Sequence, residues 1–270
     1  MKYMYITNEV EVAKKLDEIG LDMIWIDLEK NGKNERQKNM DTVKSEHFLE
    51  DIKKISPHLK KAKLLVRVNP IFEGSLYEIN KAIEYGADCI MLPMFKTKQE
   101  VEKFYKIIDN RCDTILLLET KEAVENLNEI LEIKEIKNVH IGLNDLSISY
   151  KYPFMFQPLS NGIVEKICLK LKEKNIEYGF GGIARLGEGN LSANLILSEH
   201  VRLGSNRVIL SRSFCKFENF SKLEEFSVTF SNELKKLKLY REELLKLDKK
   251  ELLKNKELLE TKIQEITSKL

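Results

Sequence analysis

Short apolar runs alternate with longer amphipathic ones from the first residues to about position 215. A brief apolar run reads as a strand covered on both faces and a run of period near 3.6 as a helix, so the alternation predicts repeated βα units around a parallel sheet. The expected strands are Tyr3–Ile6, Met23–Leu28, Lys63–Val68, Cys89–Leu92, Thr114–Leu118, Val139–Gly142, Glu177–Gly181 and Val208–Leu210. Eight is the number of a closed α/β barrel of the (β/α)₈ type. An open doubly wound sheet would alternate similarly, but the count and the polar residues gathered at strand C-terminal ends favour closure. Helical period marks Glu9–Ile19, Ser75–Tyr85, Lys98–Ile108 and Ile163–Lys174, and Gly20 and Gly86 stand where helices should stop. Nothing in residues 1–215 reads as an interdomain linker.

From Phe217 onward Gly and Pro vanish and Leu, Lys and Glu dominate. The expected organisation is therefore a barrel over 1–216 and a barrel-closing helix with a helical extension over 217–270. Leu223, Phe226, Phe230, Leu237, Tyr240, Leu244 and Leu247 keep a heptad-like spacing, and Leu252, Leu259, Ile263, Ile266 and Leu270 fall out of register with them. Fully helical, this segment would reach about 80 Å at 1.5 Å per residue. One barrel has a groove for one closing helix, so the surplus is expected on a second subunit, on a partner, or folded back as a hairpin. A homo-oligomer with this segment crossing the subunit interface is predicted. The plainer reading is a charged helix covering its own barrel.

With 270 residues, 43% hydrophobic and 33% charged, a folded core is expected. The net charge is only +2 and lysines interleave with glutamates, so no basic stripe suits a phosphate backbone and no nucleic-acid partner is expected. Cys89, Cys112, Cys168 and Cys215 lie too far apart for a zinc or redox pair. The N-terminal stretch lacks the apolar core of a leader, and no run nears the ~20 apolar residues of a membrane span. No membrane association and a cytoplasmic setting are the expectations.

Barrel chemistry sits at strand C-terminal ends and in the loops that follow. Those ends carry Asp27, Glu29 and Lys30 after the second strand and Arg67 and Asn69 after the third. Glu119 follows the fifth, Asn144 and Asp145 the sixth, Arg185 the seventh and Arg212 the eighth. Glu119 and Asp145 end neighbouring strands, and two carboxylates suit a hard divalent ion, Mg²⁺ or Mn²⁺, that keeps other positions for water and substrate oxygens. Alternatively each caps a helix or pairs with a lysine. Arg67 ends an apolar strand, where a lone charge is costly. It is expected to meet Asp27 or Glu29, to grip a substrate carboxylate, or to do both. The glycine-rich Gly179–Arg185 segment lies where barrels often bind phosphate, or only lets the loop approach closely. His47, His58, His140 and His200 read as surface or core residues.

Taken together, Ile26-Asp27-Leu28-Glu29, Val66-Arg67-Val68-Asn69-Pro70, Gly86-Ala87-Asp88 with Met91-Leu92-Pro93-Met94, Leu118-Glu119-Thr120 and Ile141-Gly142-Leu143-Asn144-Asp145-Leu146-Ser147 resemble the HpcH/HpaI aldolase and citrate lyase β-subunit family over about residues 1–215. The resemblance implies metal ligands at Glu119 and Asp145, substrate contact at Arg67, and bond making or breaking next to a pyruvate-like or acyl-CoA-derived enolate. The catalytic candidates are Asp27, Glu29, Lys30 and Arg67, with Asp27, Glu29 or a metal-bound water expected to take the proton. The substrate-binding candidates are Arg67, Gly142, Leu143, Asn144, Lys33, Arg36 and Arg185. In the pyruvate aldolase branch a histidine commonly follows the acidic motif on the second strand and transfers a proton, whereas this chain has Lys30. Another group, or a different reaction, is implied. Lys33 and Arg36 add cations that suit an acidic or phosphorylated substrate.

The leading expectation is a divalent-metal-dependent carbon–carbon lyase or aldolase acting on a small 2-oxo acid, with charge on the developing enolate stabilised by the metal. A citryl- or malyl-CoA type lyase is the alternative within enzymes. A barrel without chemistry, docking a partner through residues 217–270, is the alternative outside them. Three costly charges kept at one set of strand ends argue against the last.

Overall fold

The structure, a computed structural model, describes residues 1–32, 46–211 and 213–270. Its strands are β1 (Lys2–Ile6), β2 (Met23–Asp27), β3 (Lys63–Arg67), β4 (Cys89–Leu92), β5 (Asp113–Leu118), β6 (Asn138–Ile141), β7 (Glu177–Ile183) and β8 (Arg207–Leu210), in sequence order around a closed barrel. All eight expected strands are present. Their ends differ from the expected ones by at most two residues. Leu28 and Val68 are apolar and buried, yet β2 and β3 stop at the charged residues before them.

The helices among the described residues are α1 (Val10–Ile19), α2 (Leu49–Ile55), α3 (Ser75–Glu84), α4 (Lys98–Ile108), α5 (Lys121–Glu125), α6 (Leu127–Ile130), α7 (Leu143–Ser149), α8 (Gln157–Ser160), α9 (Ile163–Glu173), α10 (Ala193–Leu203), α11 (Leu223–Leu244) and α12 (Lys249–Thr267). Gly20 ends α1 with φ +83°, as the glycine signal predicts. None of these helices is long and apolar enough to cross a membrane. The chain divides into two compact units, Met4–Val139 and Met1–Tyr3 with His140–Leu270.

In Met4–Val139, β2 pairs in parallel with β1 and β3, and β4 with β3 and β5. The β2–β3 register sets Asp27 directly beside Arg67. That register is anchored at the other end of the strands by Asp17 of α1, whose carboxylate accepts the N–H groups of Lys61 and Ala62 at 2.8 and 2.7 Å just before β3. Burial alone would raise the Asp17 pKa, but these backbone donors prevail and hold it below the ordinary value.

In the second unit β7 and β8 pair with one extra residue on β7, since Gly179 faces Arg207 but Gly182 faces Ile209. This bulge is why β7 runs past its expected end through the glycines. A side chain on Gly179 would strike the Arg207 backbone. His140 on β6 and His200 on α10 are fully buried. His140 Nε2 donates to the Gly181 carbonyl at 3.2 Å, while the His200 ring stacks on Phe180 at 3.8 Å and its Nδ1 meets the Ser205 hydroxyl at 2.7 Å. Burial pushes both imidazoles down, His140 to about 3. These are core histidines, as expected.

Helix α11 buries Phe226, Phe230, Leu234, Leu237 and Leu244, four of them in the heptad-like set and Leu234 beyond it. The chain then breaks at Asp248, whose carboxylate accepts the Glu251 N–H at 2.8 Å and caps α12. That break is the physical reason the second apolar set is out of register. Helix α12 folds back along α10, burying Leu259 and Ile263, with Asn255 Nδ2 donating to Ser198 Oγ at 3.0 Å and Lys256 paired with Glu165 at 3.2 Å. The surplus helix thus lies on α10 of its own chain, the plainer of the expected readings.

Candidate active site at the strand ends

Within Met4–Val139, the side chains of Trp25 and Asp27 share one face of β2 because alternate strand residues do. Arg67, next to Asp27 in register, meets both oxygens of that carboxylate, Nε to Oδ1 and Nη2 to Oδ2, each at 2.8 Å. Its Nη1 faces Glu29 Oε2 at 3.1 Å and its guanidinium lies 5.1 Å from the Trp25 ring centre. All three charged groups are buried. Burial by itself disfavours the Arg67 cation, but Asp27, Glu29 and more weakly Glu119 outweigh it and raise its pKa. The pairing expected of Arg67 with Asp27 or Glu29 therefore occurs with both. Three of its five N–H directions face these carboxylates.

Glu119 is buried where β5 ends, and its Oε1 accepts the Met94 N–H at 3.2 Å. Met94 follows β4 and holds φ +55°, a costly conformation for a side chain of its size. The adjacent Thr120 hydroxyl donates to the Phe95 carbonyl at 2.8 Å and caps α5, so two short contacts fix the end of β5 against the end of β4. The neighbouring β2 loop is held by Asn69, whose Oδ1 accepts the N–H groups of Lys30 and Asn31 at 2.8 and 3.0 Å. Lys30 itself is exposed, with its ammonium 4.1 Å from the centre of the Phe48 ring.

Two residues here escaped the sequence reading. His47, read as a surface or core residue, is buried at the end of β2, where its Nδ1 accepts the Asp27 backbone N–H at 3.0 Å. An accepting Nδ1 on a neutral ring places the proton on Nε2. Glu78, in the first turn of α3, accepts both the backbone N–H and the side-chain amide of Asn69. Its only sequence signal was an acidic residue at a helix start soon after Arg67-Val68-Asn69.

In the other unit, Asp145 lies half-buried in the first turn of α7, with Gly142 at the helix N-cap and Asn144 beside it. Leu143 is buried against Gly181, so only its backbone can face a ligand. Arg185 donates through Nε to the Phe214 carbonyl at 2.5 Å, bracing the turn after β8. Lys33, Arg36 and Arg212 lie outside the described residues. Among the described residues no group of three or more His, Cys, Asp or Glu is arranged to hold a metal. A magnesium-like ion takes one or two protein carboxylates and fills its shell with water and substrate, and Glu119 is a donor of that chemistry. At the opposite, N-terminal ends of β3 to β5, a cleft of about 530 Å³ is lined by Lys63, Asp88, Tyr105, Cys112, Asp113 and Glu135. Its Lys63 and Asp113 are paired with each other.

Comparison with known proteins finds aldolases and citrate lyases. The 2-keto-3-deoxy-L-rhamnonate aldolase of Escherichia coli K12 is 24% identical over 148 residues, covering 43% of this chain and 55% of the relative. The chain thus spans about half the length of the curated relatives it matches. An HpcH/HpaI aldolase from Desulfitobacterium hafniense superposes with a TM-score of 0.60 at 14% identity, over 87% of this chain and 92% of that one. A citrate lyase from Burkholderia xenovorans superposes at 0.58 and 10% identity, over 85% and 76%. At such identities the structures share the fold. Residues 3–157, more than half of the chain, match the family model described as HpcH/HpaI aldolase/citrate lyase. The chain belongs to the HpcH/HpaI aldolase/citrate lyase family.

Proposed function

We propose that the chain is a divalent-metal-dependent carbon–carbon lyase that cleaves or forms an aldol bond next to the enolate of a 2-oxo acid. The observation that carries this reading is the buried Asp27–Arg67–Glu29 cluster at the ends of β2 and β3, with Glu119 in the field of the same guanidinium. Residues 1–216 serve as the catalytic barrel, and 217–270 as its closing helix and helical extension. Glu119 and Asp145 would hold Mg²⁺ or Mn²⁺. When bound, the ion supplies positive charge that stabilises the developing enolate.

Arg67 is held rigidly by Asp27 and Glu29, which leaves one N–H on each terminal nitrogen to orient the carboxylate of the oxo acid. In the cleavage direction the hydroxyl proton passes to a carboxylate, the aldehyde carbonyl forms, the carbon–carbon bond breaks, and its electron pair becomes the pyruvate enolate. A proton then returns to carbon. Glu29 is assigned the first of these protons because both Asp27 oxygens are committed to Arg67. Lys30, whose ammonium lies beside the Phe48 ring, is assigned to attracting an acidic or phosphorylated substrate, a task proposed for Lys33 and Arg36 as well. The backbone of Gly142, Leu143 and Asn144, and the side chain of Arg185, are assigned to substrate binding.

Calorimetric titration with Mg²⁺ or Mn²⁺ tests the metal assignment. Wild type should bind, and Glu119→Gln and Asp145→Asn should each bind at least about tenfold more weakly, since each loses an anionic ligand. Equal affinity in all three sinks the assignment. A homo-oligomer is proposed as well, joined through the exposed Val228, Leu239, Leu245 and Leu258 of the C-terminal segment. Light scattering should report a multiple of 31.5 kDa. A monomer contradicts it.

A further inference from the structure

The geometry points to Glu78 as a positioning residue that acts through Asn69 on the loop carrying Glu29 and Lys30. This inference rests on the function proposed above. The four hydrogen bonds form a directed chain. Glu78 Oε2 accepts the Asn69 N–H at 2.9 Å and Oε1 accepts the Asn69 side-chain amide, so the Nδ2 end of that amide is turned toward α3. The opposite end, Oδ1, is thereby turned toward the β2 loop, where it accepts from both Lys30 and Asn31. An Asn amide has two distinguishable ends, and the Glu78 carboxylate on one side selects the same orientation as the two loop N–H groups on the other. Glu29 sits at the start of this loop and faces Arg67 at 3.1 Å, so the orientation of one amide bears on the placement of a buried ion pair.

Burial pushes the Glu78 carboxyl above its ordinary pKa even though both Asn69 bonds pull it down. A half-buried carboxylate that gives both oxygens to Asn69 and makes no ion pair among the described residues fits a positioning task.

The chemistry of the amide gives a test that a merely structural role does not pass. Glu78→Gln keeps the shape but sets a donor against a donor. Asn69 must flip and present its NH₂ to the Lys30 and Asn31 N–H groups, or leave a clash at α3. Adding Asn69→Asp to Glu78→Gln restores every bond, because the introduced glutamine amide then donates to one aspartate oxygen while the other accepts from the loop. Asn69→Asp alone faces two carboxylates against each other. Amide hydrogen exchange at Lys30 and Asn31 is read by NMR, with exchange of pyruvate methyl protons into D₂O as the turnover readout.

In Glu78→Gln the two amides should exchange at least tenfold faster and kcat for pyruvate exchange should fall about tenfold with KM little changed, while the double variant recovers both. Unchanged amide protection in Glu78→Gln overturns the inference, as does loosened protection with full turnover or a double variant that fails to recover. A folded wild type that never exchanges pyruvate protons overturns the proposed function instead, and the amide measurements still decide whether Glu78 holds the loop.

Discussion

Methionine in place of Arg67 should destabilise the fold by about 3–5 kcal/mol, measured by urea unfolding near neutral pH. The side chain it replaces is buried between Asp27 and Glu29, so its removal takes from two buried carboxylates the guanidinium that both face. Desolvation, rather than the lost attraction, dominates the cost, because both acids must then take up protons or draw in water. Neutralising them in the same chain, with Asp27→Asn and Glu29→Gln added to Arg67→Met, should recover a large part of the loss. A stability change below about 1 kcal/mol for Arg67→Met would mean that the cluster is solvated and that Arg67 serves only the substrate. Arg67→Lys separates the roles further. It retains charge but not the paired N–H geometry, and should weaken oxo-acid binding by about 1–3 kcal/mol.

Mild acid should unfold the protein through a different pair of residues. His140 and His200 are neutral in the fold and held below their ordinary value of 6.5 by burial, His140 at about 3. The unfolded chain therefore binds more protons than the folded one once the pH drops below 6.5. Their contribution is complete above that pH and is lost as the pH falls toward the depressed folded values, by about 1.4 kcal/mol per pH unit for each histidine. Between pH 6.5 and about 5, before most carboxylates titrate, the slope should approach twice that figure. His140→Gln keeps a donor for the Gly181 carbonyl but cannot titrate, and should remove about half of the slope. A variant slope equal to that of wild type contradicts the assignment.

The strand pattern was legible because parallel strands covered on both faces are nearly pure in apolar residues, as in Ile115-Leu116-Leu117-Leu118. Arg67 and Asp27 stood out for the same reason, as charges at the ends of such runs. His47 and Glu78 did not, because each acts on backbone or amide groups brought near only by the fold, at separations of 20 and 9 residues. Lys30 was read as catalytic from its place in the motif. In the structure its ammonium lies 4.1 Å from the centre of the Phe48 ring, a contact with no local sequence signature. The fate of the C-terminal segment turned on Asp248, Glu251 and the polar seam from Ser198 to Lys256. Apolar spacing marked the break between α11 and α12 but not the surface that α12 would cover.

Exchange of pyruvate methyl protons into D₂O tests enolate chemistry without knowledge of the aldehyde or acyl partner. Wild-type protein with Mg²⁺ or Mn²⁺ should exchange these protons far faster than the metal ion alone, and Glu119→Gln should lose on the order of 100-fold of that rate. A folded wild-type protein that, with either ion, exchanges pyruvate protons no faster than the free metal ion would contradict a pyruvate-enolate lyase.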